Sequence, residues 1–454
     1  MRRRSCAGAV TLALGVFASG AGAINAGAPE IQRVPIPTLV PRPGPAQTTG
    51  ELLIKFRAGV SPARRAQILG ATGAWITRVT RGSGFAVLRP RRGASVMDYV
   101  RALRRRWEVA VAEPNYVAMA ATVDPYFYPY QWNLFSRGVM SAHAPSNYGI
   151  DAPSAWSFSQ GEGVTVALLD TGCAYADYAG CYLAPDLAAA QIRPGWDFVN
   201  NDGYPNDYNG HGTHVATTLV SPVNDGIGIA GVAPGCTIMP IKVLGADASG
   251  SYENIAGGIR YAADQGAQII NLSLTGTEPS AILQDAVHYA AAKGCLIVAA
   301  AGNESRYEVG YPAHYPQCIA VGATRFDGQL ADYSNRGSGL TLVAPGGDTT
   351  LDQNGDGYPD GILAQTFDPQ QGYDSFGYYF YAGTSMAAPH VSGVAALALA
   401  VNPFLGPDGL RQALLASVTH LGRRGWNPTY GYGLVNALGA VQYALGGVQV
   451  MRAR

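Results

Sequence analysis

The chain has 454 residues, 48% of them hydrophobic and 14% charged, with 58 glycines; this composition excludes a disordered chain and supports a large core. Its 31 basic and 31 acidic side chains cancel, which excludes a strong overall pull toward nucleic acid or an anionic membrane. The cancellation joins two unlike pieces. Residues 1–120 hold 18 Lys/Arg against 5 Asp/Glu, a net of +13, and residues 121–454 carry the opposing −13.

In chain order, Arg2, Arg3 and Arg4, a short apolar run at 9–18, and Ala21-Gly22-Ala23 form the three parts of a secretory signal over residues 1–23. The apolar run is too short to span a bilayer, and no later run reaches the ~18–20 residues a membrane helix needs, so no anchor is expected. Residues 24–48, rich in Pro, Gly and Thr, read as a linker. Periodicity then predicts a strand at 52–56, a helix at 63–69, strands at 75–79 and 85–88, a helix at 96–106 and a strand at 109–111. That β-α-β-β-α-β order is a small split βαβ unit over 49–118.

After residue 150 the pattern changes. Short runs apolar on both faces (164–169, 238–243, 269–272, 296–301 and 319–323) alternate with helical stretches at 214–219, 251–265 and 281–293. Such alternation predicts an α/β fold, a mostly parallel central sheet in a three-layer sandwich. Removal of the signal takes Cys6 with it and leaves five cysteines, an odd number. Cys173 and Cys181 enclose a short loop and are the first expected bridge in an oxidising compartment. Cys295 and Cys318, in successive apolar runs, are the second, leaving Cys236 as a buried thiol.

Three motifs carry chemistry. The run at 164–169 ends in Asp170-Thr171-Gly172, His211-Gly212-Thr213-His214 opens a helix, and residues 383–390, from Gly383 through Ser385 to His390, open another. In open α/β sheets the site lies at the carboxyl ends of the strands. One Asp, one His and one Ser delivered there supply an orienter, a base and a nucleophile. A Ser hydroxyl attacks poorly unless a neutral imidazole takes its proton, and a buried carboxylate fixes the tautomer of that imidazole. Asn303, just past another buried strand, is placed to donate to an oxyanion. His214 and His390 are read as structural.

These motifs, in this order, resemble those of the subtilases, the subtilisin-like serine endopeptidases, over about residues 150–445. The resemblance implies Asp170, His211 and Ser385 as the triad and Asn303 as the oxyanion donor. It makes 49–118 the inhibitor-like part of a propeptide (24–120) that acts as chaperone and inhibitor, and 121–454 the catalytic domain. It implies protein and peptide substrates, held between Ser249-Gly250-Ser251 and Leu274-Thr275-Gly276. Ala300 and Gly302 would wall the specificity pocket and Gly310 would form its base. With no charge in those segments, large apolar or aromatic residues are expected before the cut, with Thr275 narrowing one wall. A secreted, self-processed monomer is expected, with its maturation cut between 117 and 128, and no nucleic-acid partner.

Asp352, Asn354, Asp356, Tyr358 and Asp360 have the spacing of the first part of a calcium loop, with Gly357 at its turn; Leu363 stands where such loops carry a closing Glu. Two other readings compete with the protease reading. One is an inactive binding module on the same fold. The other is a metallo- or aspartic hydrolase using Asp170 with His211 and His214, although no His-Glu-x-x-His occurs and only one Asp-Thr-Gly is present.

Overall fold

The computed structural model describes residues 32–33, 48–79, 85–91, 95–116, 130–135 and 148–452. The expected signal peptide, most of the linker and the expected maturation region lie outside these residues. The chain divides into two compact units, residues 38–123 and residues 1–37 with 124–454. A two-residue strand, β1 (Gln32–Arg33), belongs to the larger unit and pairs antiparallel with Tyr379 and Phe380.

In the smaller unit β2 (Thr48–Phe56), β3 (Trp75–Val79), β4 (Ala86–Arg89) and β5 (Val109–Tyr116) form an antiparallel sheet in the order β3-β4-β2-β5. Helices α1 (Pro62–Thr72) and α2 (Val96–Arg104) complete the predicted element order. The boundaries of α1 are written locally. Ser61 caps its start by accepting from the Arg64 N–H, Pro62 sits in the first turn, and Gly73 ends it at φ 69°. Leu52, Ile54, Ile68, Leu88, Val100 and Leu103 form the core.

After β1, the described part of the larger unit continues with a 3-10 turn (Trp132–Leu134) and α3 (Ala152–Trp156). Its sheet contains β6 (Thr165–Asp170), β7 (Gln191–Ile192), β8 (Trp196–Asp197), β9 (Thr237–Lys242), β10 (Ile269–Leu272), β11 (Leu296–Ala300), β12 (Cys318–Thr324) and β13 (Leu342–Pro345). The order is β13-β12-β11-β10-β6-β9-β7, with β8 also on β9, and these pairings are parallel. Strand alternation feeds both faces. Val166 and Leu168 of β6 pack with α4 (His211–Val220) and α7 (Thr384–Val401), whereas Ala167 and Leu169 pack with α5 (Tyr252–Asp264) and α6 (Ala281–Ala292). Helices α8 (Pro407–Ala416) and α9 (Ala437–Arg452) lie on the α7 side. This is the predicted three-layer α/β sandwich.

Two features depart from expectation. Residues 346–381 contain an antiparallel hairpin of β14 (Ile362–Phe367) and β15 (Phe376–Tyr381), with Ile362 opposite Tyr381 and Phe367 opposite Phe376. And α7 is an 18-residue apolar helix long enough to cross a membrane, but 89% of its residues are buried inside the protein, as a central core helix requires.

Neither expected disulfide is present: Cys173, Cys181, Cys236, Cys295 and Cys318 are all buried free thiols. Register explains the second pair. Cys318 lies opposite Ile297, so Cys295 is displaced by two residues along a parallel strand. That puts the two Cα atoms about 8 Å apart, beyond the reach of a bridge. The Cys295 thiol instead donates to Ala267 O (3.0 Å) and the Cys181 thiol to Asp207 O (3.7 Å).

Candidate active site

Asp170 is the last residue of β6 and is 1% exposed. Its Oδ1 accepts the Thr171 N–H (2.7 Å) and faces His211 Nδ1 at 2.7 Å, while Oδ2 has no partner. His211 opens α4, so the backbone that ends the strand and the one that begins the helix must approach closely. Glycine permits it: a Cβ on Gly212 would lie 2.1 Å from Gly172 O. Burial pulls the His211 pKa down, but the charge of Asp170, its hydrogen bond and the more distant Asp207 outweigh it, leaving the imidazole above its ordinary 6.5.

Ser385 stands in the first turn of α7, where the backbone N–H groups lack helical acceptors. Pro389, inside the same helix, has no N–H to give to Ser385 O. Ser273 Oγ donates to that carbonyl instead (2.7 Å), and Ser385 Oγ donates to Ser273 O (3.1 Å). Among the described residues no hydrogen bond joins Ser385 Oγ to His211. In a substrate-free site such bonds commonly lengthen and tighten when substrate binds.

Asn303 Oδ1 accepts both the backbone N–H (2.9 Å) and the hydroxyl (2.8 Å) of Thr384. That orients the amide, leaving Nδ2 as its donor. A methyl group placed on Gly383 would lie 3.5 Å from Asn303 Nδ2 and 3.6 Å from Ser385 N, so the two nitrogens lie close to one point beside Ser385.

The other expected residues separate into four places. Thr275, Gly276 and Gly310 line a cavity of about 290 Å³, closed by paired hydrogen bonds between Gly276 and Tyr311 (both 2.8 Å). Leu274 and Ala300 are buried in the packing beneath. Gly302 packs on Asn335, whose Nδ2 would lie 2.3 Å from a Cβ there. Ser249-Gly250-Ser251 lie before α5, with Ser251 capping it by accepting from Asn254 N (3.1 Å). The segments chosen from sequence carry no charge, but the fold brings Glu304, Arg306 and Glu308 to the same cavity.

His214 stacks on Tyr381 (4.2 Å between centroids) and its Nε2 faces Ile362 O and Tyr379 O (3.2 and 3.1 Å); burial takes its pKa down to about 3. It therefore joins α4 to the hairpin and does not share a ligand with His211. Thr217 Oγ1 donates to Gln365 O (2.9 Å) and Thr366 Oγ1 to Gly210 O (2.5 Å), which adds two further ties.

In the candidate calcium loop Asp352, Asn354 and Asp356 each turn side-chain oxygens to the loop's own backbone. Asp352 accepts from Gly355 N (2.7 Å) and Gly357 N (3.1 Å), Asn354 from Asp356 N (2.9 Å), and Asp356 from Tyr358 N (2.9 Å). Among the described residues no three His, Cys, Asp or Glu side chains group as a metal cage. Asp360 differs from its neighbours. It is 1% exposed, Oδ1 has no partner, and burial together with Asp352, Asp356 and Asp348 pushes its pKa up to about 7.

Residues 161–433 match the Subtilase family, and residues 40–115 match the fervidolysin N-terminal prodomain. The chain is 35% identical over 410 residues to a thermophilic serine proteinase of Bacillus sp. strain AK1, covering 88% of each. It is 38% identical to thermitase of Thermoactinomyces vulgaris, over 65% of this chain and 94% of that one. A solved protease of Pseudoalteromonas arctica PAMC 21717 superposes with a TM-score of 0.61 at 30% identity, covering 72% of this chain and all (100%) of that one. The chain belongs to the subtilase family. It is a subtilisin-like serine protease with an N-terminal prodomain.

Proposed function

We propose that the protein is a secreted, self-processed endopeptidase that cleaves through an acyl-enzyme, with Asp170, His211 and Ser385 as its triad. The observation that carries this reading is the buried 2.7 Å contact of His211 Nδ1 with Asp170 Oδ1. It makes Nδ1 the protonated nitrogen and leaves Nε2 free to take a proton. Ser385 Oγ then attacks the scissile carbonyl as His211 accepts its proton, and the oxyanion settles against Asn303 Nδ2 and the Ser385 N–H. His211 returns the proton to the leaving amine, and water repeats the sequence to release the acid. Apolar residues before the cut enter the Thr275–Gly310 cavity. A serine-directed fluorophosphonate should label Ser385, and Ser385→Ala should abolish both peptide hydrolysis and release of the prosegment. Maturation in cis by that variant would sink the mechanism.

The basic prosegment serves as chaperone and inhibitor of the acidic catalytic unit. Of the 18 basic residues before position 121, 15 lie within 33–106, so the signal's arginines do not create the asymmetry. Inhibition in trans should therefore weaken as salt rises. Calcium is proposed as a stabilising ligand of the 352–360 loop. A buried carboxylate oxygen without a partner, set among acidic neighbours, suits a hard cation. Chelation should lower the melting temperature of the wild type, and Asp360→Ala should remove that response; no EDTA effect on the wild type would reject calcium.

A further inference from the structure

Three acidic residues, Asp197, Asp202 and Asp207, precede His211. Asp202 is half-buried at the surface, whereas Asp197 and Asp207 are each 1% exposed. Asp197 accepts from residues of its own turn, Val199 and Asn200. Asp207 has partners on both sides of the catalytic pair. Its Oδ1 accepts Thr171 Oγ1, Asn209 N and Gly210 N, each at 2.9 Å. Its Oδ2 accepts Thr213 N (2.9 Å) and Thr213 Oγ1 (2.7 Å).

Both hydroxyls pass the connection on. Thr171 Oγ1 also accepts Gly212 N (2.9 Å), and Thr213 Oγ1 accepts Ala174 N (3.0 Å). Thr171 follows Asp170, while Gly212 and Thr213 follow His211. A single carboxylate thus closes two hydrogen-bonded loops between the end of β6 and the first turn of α4. Its charge is matched by that helix start and by Lys242, a 1% exposed ammonium that donates to Thr171 O (2.5 Å) and Leu244 O (2.7 Å).

We propose that Asp207 is a positioning residue for the general base, fixing His211 against Asp170 through Thr171 and Thr213 and holding part of the field around the imidazole. The proposal rests on the triad reading above. A buried carboxylate is costly without full compensation. A helix cap alone would not require the contact to Thr171, which carries the carboxylate across to the residue that follows Asp170. The charged and titratable groups around His211 are Asp170 on β6, Asp207 itself, His214 on α4 and, beyond Thr171, Lys242 on β9. Burial lowers the His211 pKa, whereas Asp170 and Asp207 raise it. Removing the Asp207 charge therefore lowers it, and the acid limb of kcat/KM moves to lower pH.

The test uses mature Asp207→Asn and Thr171→Val enzymes on a chromogenic peptide, with active sites counted by fluorophosphonate so that kcat refers to folded enzyme. Asp207→Asn should lose about 10- to 100-fold in kcat with KM little changed, and its acid limb should shift to lower pH. Thr171→Val, which keeps the charge, should lose kcat with its acid limb in place. Wild-type kcat or an unmoved acid limb in Asp207→Asn overturns the proposal. If Asp207→Asn yields no labelled enzyme, Thr171→Val decides, and wild-type turnover there overturns it. Failure of the wild type to label at Ser385 would refute the triad reading instead.

Discussion

Asn303 holds Thr384 by two hydrogen bonds from one oxygen, 2.9 Å to its N–H and 2.8 Å to its hydroxyl. The donor nitrogen of that amide and the helix bearing Ser385 are therefore one rigid piece. Asn303→Ala should lower kcat by about 10²–10³ with KM nearly unchanged, since the bond it supplies forms only as charge develops. Thr384→Val keeps the backbone bond and should cost less, about tenfold. Steady-state kinetics on one peptide separates the two, and an equal loss in KM for Asn303→Ala would contradict an oxyanion role.

Thr275 Oγ1 is buried without a partner, and a Cβ on Gly310 would lie 2.1 Å from it. The hydroxyl thus occupies space directly above the expected base of the specificity cavity. Thr275→Gly should deepen the cavity and raise kcat/KM for Phe relative to Ala before the cut by about tenfold. A peptide panel with an unchanged Phe-to-Ala ratio would remove Thr275 from specificity.

Asp186 is 2% exposed and bonded by Tyr378 OH (2.8 Å) and Ile229 N (3.1 Å); burial pushes its pKa up to about 7. The folded state therefore binds a proton that the unfolded chain releases near the ordinary 3.8. This contribution is complete below that value and is lost as pH rises through about 7, at a slope of at most ~1.4 kcal/mol per pH unit. Asp186→Asn can satisfy the same partners without a charge. Melting of inhibitor-blocked enzyme should show the variant gaining on the wild type between pH 5 and pH 8. A constant difference across that range would contradict the assignment.

Burial pushes the thiols of Cys236 and Cys318 up to about 12 and that of Cys295 to about 11. The five thiols of the described chain should be inert to a disulfide reagent in the native protein at pH 8 and all react after denaturation. A reductant should leave the melting temperature unchanged. Three reactive thiols in the denatured, unreduced protein would reveal a bridge.

The alternation of two-sided apolar strands with helices made the sandwich legible, and β10 and β3 fall where periodicity puts them. Asp170, His211 and Ser385 were legible because each sits where an element begins or ends, next to glycines that allow close backbone approach. Spacing along the chain says nothing of the register between β11 and β12 that separates Cys295 from Cys318, nor of the Asp207 carbonyl to which the Cys181 thiol turns instead of to Cys173. The hairpin was not legible, since its acidic Asx-rich entry dominates the local pattern while its strands bond to residues some 150 positions away. Asp207 could not be told from Asp197 and Asp202 by composition; only its partners separate it.

The hairpin holds α4 through Thr366, Gln365 and the two carbonyls that face His214. Three residues after its second strand, Thr384 opens α7. His211 and Ser385 thus share one abutment. A replacement of 346–381 by a shorter connection would not trim a surface; it would let the two helices shear past each other. The spacing of His211 and Ser385 is set in part by an element that, among the described residues, hydrogen-bonds to neither of them.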